Sequence, residues 1–165
     1  MKFSLAIFMI GLLMVLLQTT FLHLFPVVPD LVLIVCVYWG LHQPTAGAVL
    51  GAFALGYSLD VVSSPILGLN AFAMSIVFFA VYLSSRSIWL HSAVTSSFVV
   101  LLAALVKGAA LVLAWAIFLT TEQFWSGAAR YIIMEALIAA VIAPLIFALL
   151  RRGQRYFENA RRPAQ

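Results

Sequence analysis

Lys107 and Glu135 are the residues best placed to do chemistry. Each interrupts a long stretch of apolar residues, where an ammonium or a carboxylate is expensive. An unpaired lysine near the middle of a bilayer costs about 2.5–3.5 kcal/mol on insertion scales. The neighbours of Lys107 are small: Ala103, Ala104, Gly108 and Ala110. Small residues let a second backbone come close, so Lys107 is expected to face protein and not lipid. Glu135 falls at a comparable depth on the next apolar segment. Two consecutive antiparallel helices would bring them together, which predicts a Lys107–Glu135 ion pair. Such a pair reads either as a polar binding or coupling site or as an internal packing clip.

Asp60 and Asp30 are the other acidic candidates. Asp60 follows Gly56 by one helical turn on nearly the same face. It therefore points into a helix interface, to touch a partner or ligand or to cap the Ser-Ser-Pro turn or the helix beyond it. Asp30 follows Pro29 at the start of an apolar run and reads as a helix N-cap. His23 falls at the outer end of the first span and His42 and His91 at inner ends, about 30 Å away across the membrane, so the three do not form a metal site. Gly56-Tyr57-Ser58 has no histidine on its side, so a serine protease is poorly supported. Neither aspartate stands in a glycine-x-glycine-aspartate motif, which disfavours an aspartyl protease. No phosphate loop, zincin motif or nucleophile elbow occurs. The expectation is a protein without catalytic residues, metal or cofactor.

The elements that must position these groups follow from composition. Of 165 residues, 65% are apolar and 8% charged. An ordinary globular chain has about 45–50% and about 25%. So few charges cannot cover a water-soluble surface. Six membrane spans would use about 120 residues, leaving little for loops or an active site outside the membrane. Cys36 is the single cysteine, which excludes an intrachain disulfide. The net charge of +4 is no nucleic-acid signal, because five of the nine basic residues lie within 151–165.

The pattern predicts an all-α polytopic membrane protein with spans at about 3–24, 30–41, 46–62, 69–85, 92–119 and 130–150, followed by a basic tail, 151–165. The first segment continues past Gly11 into Gln18 and Thr19 without a small-x-small cleavage site, so it reads as a retained span. The second is short for a full crossing. The third carries a stripe of small residues, Gly47, Ala48, Gly51, Ala52 and Gly56, suited to close helix packing or partner contact. With six spans both termini share a side. Lys2, Arg86, Arg151, Arg152, Arg155, Arg161 and Arg162 then fall together on the cytoplasmic face, as the positive-inside rule asks. The arginine tail reads as an anchor near anionic lipid. Trp39, Tyr82, Trp89, Trp125 and Tyr131 fall at expected membrane boundaries.

Three segments together resemble a known family. Pro29-Asp30-Leu31-Val32-Leu33-Ile34 opens the second span. Gly47 to Asp60 forms a glycine-rich third span ending in Gly-x-x-x-Asp. Pro65-Ile66-Leu67-Gly68-Leu69-Asn70 makes a Pro-x-x-Gly-x-Asn turn. This order resembles the MreD family of bacterial rod shape-determining membrane proteins, and size, span number and basic tail agree. Lys107 and Glu135 are not part of that family pattern. The resemblance implies a non-enzymatic inner-membrane scaffold of the elongation complex. Its implied partners are MreC directly, with MreB, RodA and a class B penicillin-binding protein in the wider assembly. Self-association is a further option. The resemblance also implies a fold similar to the substrate-binding subunits of energy-coupling-factor transporters. That likeness supplies the alternative function, a membrane subunit binding a vitamin-sized molecule through Asp60, Lys107 and Glu135.

Overall fold

Each long apolar run becomes a helix, because backbone N–H and C=O groups in an apolar setting must bond within their own segment. The structure is a computed structural model and describes residues 2–20, 28–43, 45–63, 67–85, 93–118 and 125–159. Six helices follow in order: α1 Lys2–Thr20, α2 Leu31–His42, α3 Ala46–Ser63, α4 Leu69–Ser85, α5 Ala93–Phe118 and α6 Trp125–Asn159. Their limits agree closely with the expected spans except at α6, and the expected span residues 21–24 lie outside the described residues. The last helix runs through Pro144 and on to Asn159. The residues expected to begin a separate tail, Arg151, Arg152 and Arg155, are therefore helical. Arg86, Arg161, Arg162, His23, His91 and Trp89 lie outside the described residues.

Among the described residues, three segments are long and apolar enough to cross a membrane: Ala46–Ser63, Thr95–Ala114 and Arg130–Gln154. The segments Ser4–Thr20, Leu31–His42 and Leu69–Ser84 are shorter apolar helices.

The centre of the molecule is α2. It touches each of the other five helices, while α1–α3, α3–α4, α4–α5 and α5–α6 also pack in pairs. The result is five helices around one, with α1 and α6 at the two ends of the series. Val32 through Tyr38 are wholly inaccessible, and Trp39 is 2% exposed. A helix that is apolar all round lies in a protein core or in lipid, and α2 is enclosed by protein. Its 12 residues span about 18 Å, against about 30 Å of bilayer hydrocarbon. One end of α2 therefore lies deep inside the bundle. Trp39 belongs to this core and not to an interfacial belt, which corrects the boundary position expected for it. Its indole packs over Gly51, and its Nε1 finds no hydrogen-bond partner among the described residues.

The outside is apolar. Leu50, Phe79, Val141 and Leu145 are each more than half exposed, as suits a lipid-facing wall.

Candidate functional site

The deep end of α2 is where the charges meet. Asp30 caps the helix: its Oδ1 accepts from Leu33 N at 2.9 Å. Gln18 of α1 takes a second free donor, with Leu31 N donating to its Oε1 at 3.1 Å. These bonds satisfy N–H groups that a helix start leaves open. The other carboxylate oxygen of Asp30 accepts from Lys107 Nζ of α5 in a salt bridge. Asp30 is 1% exposed and Lys107 7%. One carboxylate thus holds the start of the central helix and neutralises the buried ammonium.

Glu135 of α6 is not the salt-bridge partner of Lys107. This corrects the expected pairing. It lines the same cavity as Asp30, Lys107 and Gly108, and its charge acts on Lys107. The cavity measures about 20 Å³, room for roughly one water. The physical reason for the exchange of partners is the shortness of α2. A start assumed to lie at the membrane edge lies at the depth of mid-α5. Consecutive helices are not the only neighbours once a sixth helix occupies the centre. The sequence signal was present in the short second span, which had to begin or end inside the bundle.

Asp60 is wholly inaccessible and fully engaged. Its Oδ1 accepts from Asn70 N at 3.1 Å and Asn70 Nδ2 at 2.9 Å, and its Oδ2 from Gly68 N at 3.1 Å and Ala71 N at 3.0 Å. A side chain on α3 thereby caps α4. The turn between them uses Gly68, whose φ of +94° suits glycine. Gly56 permits the close approach: a Cβ there would stand 2.7 Å from Ala71 Cα and 2.8 Å from Asn70 O. Gly51 takes the Trp39 ring, and a Cβ would collide with it. So the stripe on α3 is mostly spent within the molecule. Gly47 differs, since a Cβ there would meet only Thr45 Oγ1, at 4.0 Å.

The opposite end of α2 carries polar ties that the sequence reading missed. His42 Nδ1 lies 3.0 Å from Tyr38 O, and the two rings stack with centroids 4.0 Å apart. Tyr38 Oη donates to Gln154 Oε1 of α6 at 2.8 Å. Ser4 Oγ of α1 donates to Gln43 Oε1 at 2.9 Å. No local motif marks these pairs, because they join residues 39 and 116 positions apart.

The Asp30–Lys107 salt bridge ties α2 to α5 in an apolar setting, with Glu135 of α6 lining the cavity beside it. The Asp60 network ties α3 to α4. No solved structure matches the chain. The family model of rod shape-determining protein MreD matches residues 1–153, which take in α1 to α5 and most of α6, and the chain belongs to the MreD family.

Proposed function

We propose that the chain is a non-enzymatic inner-membrane scaffold of the bacterial elongation complex that binds MreC. In this role it helps couple the MreB cytoskeleton to lateral wall synthesis by RodA and a class B penicillin-binding protein. All six helices cross or enter the membrane as one domain, with both termini cytoplasmic. The observation that carries this reading is the family match over residues 1–153. The use made of the buried charges supports it. Asp60 and Asp30 join helix to helix, which is the work of a rigid platform.

A vitamin carrier is less well supported. Pockets for such ligands measure about 300–1,000 Å³. The cavity beside Lys107 and Glu135 is about 20 Å³.

The contact surface expected on α3 narrows to its outward part, near Gly47 and Leu50. Gly51 and Gly56 are committed inside, so substitutions there would disturb the fold and not report on a partner. Gly47→Leu should weaken co-purification of MreC while leaving the purified protein folded, and cells depending on it should lose rod shape. Full recovery of MreC with Gly47→Leu would remove that face from the proposal. Unchanged rod shape after depletion of the protein would sink the scaffold role itself.

A further inference from the structure

The series of helices around α2 leaves a groove of about 180 Å³ between its two ends, α1 and α6. Its walls are Ile7, Ile10 and Met14 on one side and Ile146 and Leu149 on the other. Tyr38 of α2 forms part of the lining. The lining is apolar apart from the Tyr38 hydroxyl, and Ala6 and Gly153 mark one end of it. At that end stand the Tyr38–Gln154 and Ser4–Gln43 hydrogen bonds. Arg151 is near enough for its charge to act on His42, the last residue of α2. Arg152 is exposed and directly precedes Gly153, which lines the groove.

Gly153 is a helix-interior glycine in α6. Glycine weakens a helix interior and is usually kept there for close packing. Here a Cβ would meet nothing within 4 Å. The position keeps space open in the groove and brings no backbone close.

We propose that this groove holds one acyl chain of an anionic phospholipid, with the phosphate at the Arg151–Arg152 end. An apolar trough with cationic side chains beside one end complements an acyl chain joined to a phosphate. The occupant is a lipid because the exposed Arg152, next to the lining residue Gly153, offers a cation where the phosphate of a phospholipid would lie. The inference rests on the membrane placement proposed above and not on the scaffold role. It is tested on purified protein, so its failure leaves that role standing.

The protein in a neutral maltoside detergent is offered equal amounts of phosphatidylglycerol and phosphatidylcholine, and retained lipid is read by native mass spectrometry. One phosphatidylglycerol per chain is expected, favoured about tenfold over phosphatidylcholine. Gly153→Leu should abolish retention of both lipids while the lipid-free protein melts no lower than the wild type. The double change Arg151→Gln with Arg152→Gln should keep lipid bound but erase the preference for phosphatidylglycerol. Ala6→Leu, on the opposite wall, is a second plug should Gly153→Leu fail to fold. Equal retention of the two lipids by the wild type overturns the proposal, as does undiminished retention in a folded plugged variant. A photo-crosslinker at position 153 that captures a polypeptide in native membranes, and no lipid, overturns it as well.

Discussion

Asp30 has two tasks in one carboxylate, and they can be separated. Asn keeps much of the capping ability of Asp but not its charge. Asp30→Asn should therefore leave α2 capped and Lys107 buried without its counter-charge, a change that costs about 3–5 kcal/mol when a buried pair loses one member. Replacing both partners removes the orphaned charge. Asp30→Asn combined with Lys107→Met should recover most of the loss, read as melting temperature in detergent across the double-mutant cycle. A double variant whose loss equals the sum of the two single losses would show that the pair carries no coupling. Glu135→Gln should shift melting by much less than Asp30→Asn, because Glu135 does not form the salt bridge. The same cavity-lining position makes it the residue to test for any residual role of the cluster. The types and rarity of Lys107, Glu135 and Asp60 were legible as signals of buried use. Their partners were not, since a salt bridge between residues 77 apart depends on packing and not on spacing.

At the scale of elements, the α3–α4 corner is held from the side. Asp60→Ala would leave the N–H groups of Gly68, Asn70 and Ala71 without their acceptor. A lost cap and buried unsatisfied donors together cost about 2–4 kcal/mol. Hydrogen exchange at those three amides should rise with the loss. Protection retained at all three would show that the cap is dispensable. Two glycines in helix interiors should respond oppositely to alanine. Gly56→Ala drives a methyl into the backbone of α4 and should destabilise the corner. Gly153→Ala meets open space and should stabilise α6 by about 0.5–1 kcal/mol. Thermal melts of the two variants against wild type decide it, and a stabilised Gly56→Ala would refute the close approach. Helix existence and most boundaries were readable from the apolar runs, because 17 to 20 residues without charge have few alternatives to a helix in lipid. The far end of α6 was not, because charge lowers hydropathy without ending a helix.

For the whole molecule, the enclosure of α2 is the organising fact. Cys36 lies at its middle, wholly buried, and is the single thiol in the chain. A membrane-permeant maleimide should leave it unmodified in the folded protein and label it once detergent and heat unfold the bundle. Prompt labelling of folded protein would mean that α2 faces lipid or a water path, contrary to five enclosing helices. The same enclosure explains why Trp39 failed as a belt residue. A tryptophan at a boundary in sequence becomes a core residue when its helix has no lipid-facing side.

The amino-acid sequence determined the medium and the material. Sixty-five per cent apolar residues with 8% charged require helices in an apolar solvent, and the Pro-Asp, Gly-x-x-x-Asp and Pro-x-x-Gly-x-Asn segments carried the family. These are local properties, set by composition, period and short spacing. The tertiary structure alone decided which helix stands in the centre. With that it decided that Lys107 meets Asp30, that the small residues of α3 are spent internally, and that a groove opens between α1 and α6. In lipid every apolar face looks alike to the solvent. The order of helices is therefore settled by close packing and by the need to pair a few buried polar groups, and both depend on residues far apart in the chain.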